Sequence, residues 1–253
     1  MRTSRARDVR EKDDLRSMAS SDPALSRREL ADVELFRGAS AATLDEARRS
    51  ARRRSFPKEA RIFGQGDMRV RVHALLEGSV RISQSGSDGG HVVLRFVGAG
   101  DIFGVAAAFA DRRYPCDADA LASCVEVSWS EADFAKLMHR HPQIALNAVK
   151  IMGRRLSELQ DRVREVSTQS VERRLAHTVL RLLSQFGRDA PQGRTIALPL
   201  RRKDIADIAG TTLYSASRSL TDWERRGLLF TREQTLTVVK LRDLRVIAEM
   251  ITG

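Results

Sequence analysis

Residues 209–228 read AGTTLYSASRSLTDWERRGL, and the chemistry of this stretch lies in hydroxyls and a cation spaced to share one side of a helix. At helical spacing Leu213, Ala216 and Leu220 face a core, which leaves Tyr214, Ser217 and Arg218 pointing outwards together. A guanidinium can chelate guanine O6 and N7, a serine hydroxyl can donate to or accept from a base edge, and a tyrosine can contact a phosphate or a thymine methyl. Thr211 and Thr212 place hydroxyls and free backbone N–H groups at the helix start, where a phosphate is favoured.

The elements around this stretch must hold it as a reading face. DIADIAG runs directly into TTLYSASRSL, and Ile205, Ile208 and Ala209 bury the first helix while Gly210 supplies the sharp corner. This is the pattern of a helix-turn-helix, whose second helix enters the DNA major groove. FTREQTLTVVKL follows as a hairpin turning near Glu233 and Gln234, a wing in which Arg232 and Lys240 are candidate phosphate contacts. Arg202 and Lys203 on the preceding helix are candidates of the same kind. Upstream, VERRLAHTVLRLLSQFG reads as a helix ending at Gly187, followed by a polar loop, GRDAPQGR, and by TIALPL.

A longer helix beginning at Pro142 precedes these. Its apolar residues Ala145, Val149, Met152, Leu156, Leu159, Val163 and Val166 alternate spacings of four and three, the seam of a two-stranded coiled coil. The competing reading packs that stripe on the chain's own β region; its narrowness favours a dimer. Before the helix, short β-rich runs separated by glycine (IFGQG, VHALLEGSVRIS, SGSDGGHVVLRFVGAGDIFG, CVEVSWS) predict a compact roll, closed by a helix over Glu131 to His139. The expected organisation is a disordered arm over 1–27, a β-roll with flanking helices over 28–141, a dimerisation helix over 142–169 and a winged helix over 170–253. Met18 is a second candidate start.

The chain has 253 residues and a formal net charge of +11, and residues 171–253 carry fifteen Lys/Arg against nine Asp/Glu. A polyanionic partner is expected, and double-stranded DNA fits the helix-turn-helix. No apolar run spans a bilayer and the N-terminus lacks a signal-type apolar core, so a cytoplasmic location without membrane contact is expected. Two cysteines, Cys116 and Cys124, are too few for a disulfide framework or a four-thiolate metal site.

This order of elements resembles the Crp-Fnr superfamily of bacterial transcription regulators. The resemblance is carried by LLEGSVRI, GAGDIFG, the long helix, VERRLA, and the segment from LPLRRKDIADIAG to GLLF. It implies an α+β protein with a cyclic-nucleotide-binding-like jelly roll, a long dimerisation helix and a C-terminal winged helix. It also implies a homodimer that binds a palindromic promoter, recruits or obstructs RNA polymerase, and answers an effector at the roll. Where family members that bind cyclic AMP place a Glu and an Arg-Ser pair, this chain has Val105, Tyr114 and Pro115, which cannot neutralise a buried phosphate. The N-terminal cysteine cluster of iron–sulfur members has no counterpart, because residues 1–115 contain no cysteine. In the recognition helix Tyr214 stands where the nitrate–fumarate branch has Glu, while Ser217 and Arg218 are kept. TTLYSASR is similar to the branch that answers nitric oxide, some of whose members bind haem.

For haem, His73 and His91 are the roll's only candidate ligands. Strand alternation puts Arg69, Arg71 and His73 on one face and Val70 and Val72 on the other, which predicts a solvated His73, and His91 beside a glycine turn is predicted exposed. Cys116 and Cys124 read as small buried residues or as a thiol switch. His139 and His141, in HRHP, are explained by a helix boundary. An enzyme is disfavoured by the lack of a phosphate loop, nucleophile–base pair or metal spacing. A non-specific architectural DNA binder is the remaining rival, separated by whether affinity depends on sequence.

Overall fold

The computed structural model describes residues 24–87, 89–109 and 112–249. The expected arm up to residue 23, with Met18, lies outside them. Structure begins before the arm's expected end at residue 27. Leu25 is buried, and Ser26 caps α1 (Arg27–Ala31) by accepting from Glu29 N while the Glu29 carboxylate accepts from Ser26 N.

After α2 (Ala41–Ser50) come β1 (Arg52–Phe56), β2 (Arg61–Phe63), β3 (Arg71–Glu77), β4 (Ser79–Ser85), β5 (His91–Gly98) and β6 (Ile102–Phe103). The roll continues through a short helix, α3 (Val105–Phe109), to β7 (Asp117–Ala120) and β8 (Cys124–Ser130). Two antiparallel sheets form, in strand orders β1-β8-β3-β6 and β2-β7-β4-β5. Phe56, Leu75, Phe103 and Cys124 from the first sheet meet Ile62, Val80, Val97 and Ala118 from the second in a shared interior. The first sheet's other face is covered too. Val72, Ala74, Val127 and Trp129 pack on Phe36, Leu44 and Ala47, on Phe134 and Leu137 of α4 (Glu131–Arg140), and on Ile144, Ala148 and Ile151. Trp129 Nε1 donates to Ala47 O at 2.8 Å.

Double coverage corrects the expectation for His73. In β3 every residue from Val72 to Leu75 is buried. Alternation is obeyed, but the side predicted to meet water is the roll interior, and His73 is 3% exposed.

α5 (Pro142–Thr168) is a single helix with proline in its first turn. Ile144, Ala148 and Ile151 bury one side against the roll, whereas Val149, Met152, Leu156, Leu159, Val163 and Val166 are 37–69% exposed. Ser170 then caps α6 (Val171–Phe186), its hydroxyl accepting from Arg173 N. The segment read as a polar loop is instead a hairpin, β9 (Gly187–Ala190) and β10 (Gly193–Ile196), and β10 pairs with β12 (Thr235–Val238). Its residues are polar because one side of this small sheet faces water, so apolar alternation could not reveal it. With β11 (Leu229–Arg232) the strand order is β11-β12-β10-β9. α7 (Arg202–Ala209), α8 (Leu213–Arg225) and α9 (Leu241–Glu249) complete the C-terminal unit. Its core, including Leu175, Ile205, Ala216, Leu220 and Trp223, is continuous with Val93, Phe96 and Leu121 of the roll.

One backbone position shows how tightly the roll is closed. Gly78, between β3 and β4, has φ +85°, and a Cβ there would stand 2.3 Å from Ser123 O. Gly78→Ala is therefore expected to destabilise the protein by more than about 1 kcal/mol, seen as a lower midpoint in thermal unfolding.

Candidate nucleic-acid interface

The corner between α7 and α8 is built by Gly210, whose φ of 64° and ψ of 46° lie in the left-handed region open to glycine. Its N–H and that of Thr211 return to Ala206 O and Asp207 O, closing the first helix. Thr212 is the N-cap of α8, and its hydroxyl accepts from Ser215 N at 3.1 Å. That hydroxyl is engaged by the helix rather than held ready for a phosphate. Thr211 is half-buried at the corner.

Ala216, Leu220 and Trp223 bury the inner side of α8. Tyr214 is 75% exposed, Arg218 is exposed and Ser217 is half-buried, so the outward trio stands together on one side. Leu213, expected in the core, is 47% exposed. It is the first helical residue, and the core side of α8 begins a turn later, at Ala216.

Two of the candidates are paired within the chain. The Arg202 guanidinium donates to Ser217 O at 3.2 Å, Thr221 Oγ1 at 2.8 Å and Glu224 Oε2 at 2.8 Å, tying α7 to α8. Lys203 pairs with Asp207 one turn along its own helix. Two further arginines, which spacing did not single out, hold the corner from behind. Arg174 donates to Ala209 O at 3.2 Å and Gly210 O at 3.1 Å, and Arg162 donates to Ile208 O at 2.8 Å. Both answer the unpaired carbonyls and negative dipole end of α7. The wing turns at Glu233 and Gln234, both with positive φ, as a two-residue hairpin requires. Arg232 is exposed there, its guanidinium 5.4 Å from the centre of the Phe230 ring. Lys240 donates to Arg226 O at 3.3 Å.

In the roll, His73 is locked on both nitrogens, with Glu126 Oε2 at 2.8 Å from Nδ1 and the Tyr114 hydroxyl at 2.9 Å from Nε2. Phe103 stacks 4.9 Å from it and Phe63 lies at 5.3 Å, itself stacked 3.7 Å from Tyr114. Tyr114 is 3% exposed, so its ring fills the interior at the position where the resemblance places a phosphate-binding residue. These residues do not fit a haem: iron at His73 would have to displace Tyr114 and part the aromatic stack. His91 is exposed on the surface, with Nδ1 3.9 Å from an Asp207 carboxylate oxygen. His141, at the start of α5, lies 3.1 Å from Thr43 Oγ1 and 2.9 Å from Glu46 Oε2. Burial pushes both thiols, Cys116 and Cys124, up to about 11. No helix among the described residues is long and apolar enough to cross a membrane, and none of their His, Cys, Asp and Glu side chains group as a metal site.

Residues 53–141 match the family described as cyclic nucleotide-binding domain, and residues 173–247 that described as Crp-like helix-turn-helix domain. The chain is 29% identical over 173 residues to the transcriptional activatory protein AadR of Rhodopseudomonas palustris, spanning 68% of this chain and 71% of the relative. It is 28% identical over 193 residues to the nitrogen fixation regulation protein FixK of Bradyrhizobium diazoefficiens, spanning 75% and 78%. In fold it is similar to FixK2 from Bradyrhizobium japonicum, with a TM-score of 0.70 at 22% identity over 80% of this chain and 99% of that one.

Three predictions arise from this geometry. Arg218→Ala is expected to lose about 1–3 kcal/mol of discrimination between matched and mismatched DNA sites in competition binding. Arg202→Ala instead loosens α8 and weakens binding to all sequences, together with a lower melting midpoint. The two thiols, held protonated, are expected to react with a disulfide reagent at pH 8 far more slowly in the folded protein than after denaturation.

Proposed function

We propose that this chain, which belongs to the Crp-Fnr family of DNA-binding transcription regulators, acts in the cytoplasm as a homodimer on a palindromic promoter site. One observation carries the dimer. The apolar seam of α5 has no cover among the described residues, although the opposite side of the same helix is buried on the roll. Six large apolar side chains in heptad register pack when a second copy supplies the facing holes.

A two-fold dimer sets two copies of α8 to read half-sites about one helical turn apart. Arg218 and Ser217 read base edges, Tyr214 replaces the carboxylate that would accept from cytosine, and Arg232 follows the backbone from the wing. The bound dimer then recruits or obstructs RNA polymerase. Nitric oxide sensed through haem is not part of this reading, because His73 is committed to Glu126 and Tyr114. Cys124 is buried and Cys116 half-buried, which supports reading both as small packed residues rather than as a thiol switch. The roll interior supports a regulator that folds around its own aromatic side chains.

The test is competition binding at physiological salt between a palindromic promoter fragment and scrambled duplex. Preference by about three orders of magnitude or more is expected for a sequence-specific regulator, and near-equal affinity would make this an architectural binder. Leu159→Lys is expected to give monomers in sedimentation, because the seam cannot bury an unpaired ammonium. A variant that remains dimeric would place the interface elsewhere.

A further inference from the structure

The roll and the C-terminal unit enclose a cleft of about 440 Å³, within the roughly 300–1,000 Å³ range of small-molecule sites at domain interfaces. Lys58, Arg61 and Arg81 reach it from the roll, and Arg201 reaches it from the residue before α7. Glu59 and Asp119 are the carboxylates of its lining. Asp117 and Asp204 stand behind: Asp117 lies 3.5 Å from Arg61, and Asp204 lies 3.2 Å from both Arg81 and Arg201.

These pairs leave donors over. Arg81 gives Nη1 to Asp204 and stands with Nη2 3.6 Å from Asp119, but its Nε is buried with no hydrogen-bond partner. A buried guanidinium N–H left unsatisfied is costly and calls for an acceptor. Lys58 is exposed and takes part in no ion pair among the described residues. Beside it Glu59 adopts φ 67°, strained for a side-chain-bearing residue, with its N–H on Ala120 O at 2.7 Å. Ala120, Leu121 and Pro199 add an apolar wall.

We propose that this cleft binds a phosphorylated small molecule, its phosphate dianion on Lys58, Arg81 and Arg201 and its organic part against Leu121 and Pro199. Asp117, Asp119 and Asp204 pair with Arg61, Arg81 and Arg201, so the donors left for a phosphate are Lys58, which has no ion pair among the described residues, and Arg81 Nε. The site joins two units. Arg201 leads into the helix-turn-helix, and Gln234 of the wing, also in the lining, accepts from Leu200 N at 2.8 Å. A ligand held from both sides stabilises this docking of the reading head, and binding of ligand and DNA is then thermodynamically linked. That linkage rests on the DNA-reading function proposed above; the binding site itself does not.

The experiment titrates the full chain with phenyl phosphate at pH 7.5 and constant ionic strength by calorimetry, with phenyl sulfate as the monoanionic control and DNA absent. One phenyl phosphate per chain is expected, bound more tightly than phenyl sulfate. Lys58→Glu, on an exposed side chain with no part in folding, and Arg201→Gln are each expected to weaken it about tenfold or more. No heat up to about 10 mM, a constant of that order being the weak limit of a specific site, would overturn the proposal. Equal binding of the two probes, or affinity unchanged in both variants, would do the same. In a second arm phenyl phosphate shifts promoter affinity of the wild-type chain and leaves that of Lys58→Glu unmoved. Ligand binding without any promoter binding would sink the regulator reading and keep the site, whereas promoter binding without ligand heat would do the reverse.

Discussion

The guanidinium of Arg162 joins the three parts of this molecule. From the long helix it donates to the carbonyls of Val93 and Leu94 on β5 and to that of Ile208 at the end of α7. Burial of the charge, which lowers the arginine's pKa, is offset by these bonds. The nearby pair of Arg181 and the buried Glu165, 2.6 Å apart, fixes the same end of α5 against α6. The direction of the reading helix, the uncovered seam and the cleft beside Arg201 all depend on how these contacts set the C-terminal unit on the roll.

The roll is stabilised differently, from within. His73, Tyr114 and Glu126 form a hydrogen-bonded line extended by Arg71, whose N–H donates to the Tyr114 hydroxyl at 2.7 Å and whose Nε donates to Ser128 Oγ at 2.9 Å. Every polar atom named here has a partner, which is the condition under which such a network rigidifies a core rather than weakening it. Aromatic stacking fills the remaining space.

The residues that sequence reasoning placed well share a local cause. Gly210 had to take a left-handed conformation, Glu233 and Gln234 had to turn a hairpin, Pro142 had to open a helix, and the heptad residues had to share a stripe; each needs only near neighbours along the chain. The errors share a cause as well. For His73 the alternation was right and the side was wrong, because whether a sheet face meets water depends on the helices that cover it. For Arg202, spacing along the chain did not show that its guanidinium donates to Ser217, Thr221 and Glu224. The hairpin of β9 and β10 carries no apolar alternation and exists through its pairing with β12.

By itself, then, the sequence determined the order of elements, the helix-turn-helix with its outward Tyr214, Ser217 and Arg218, the seam of the long helix and the family to which the chain belongs. These follow from periodicity and backbone stereochemistry, which act over a few residues. Tertiary structure alone decided which cations are free and which are braces, that the roll interior is filled by Tyr114 and His73, and that Lys58, Arg81 and Arg201 share one cleft. The reason is physical. A charged side chain's role is set by the partners within about 4 Å of it, and residues more than a hundred positions apart, such as Arg81 and Asp204, become partners when the chain has folded.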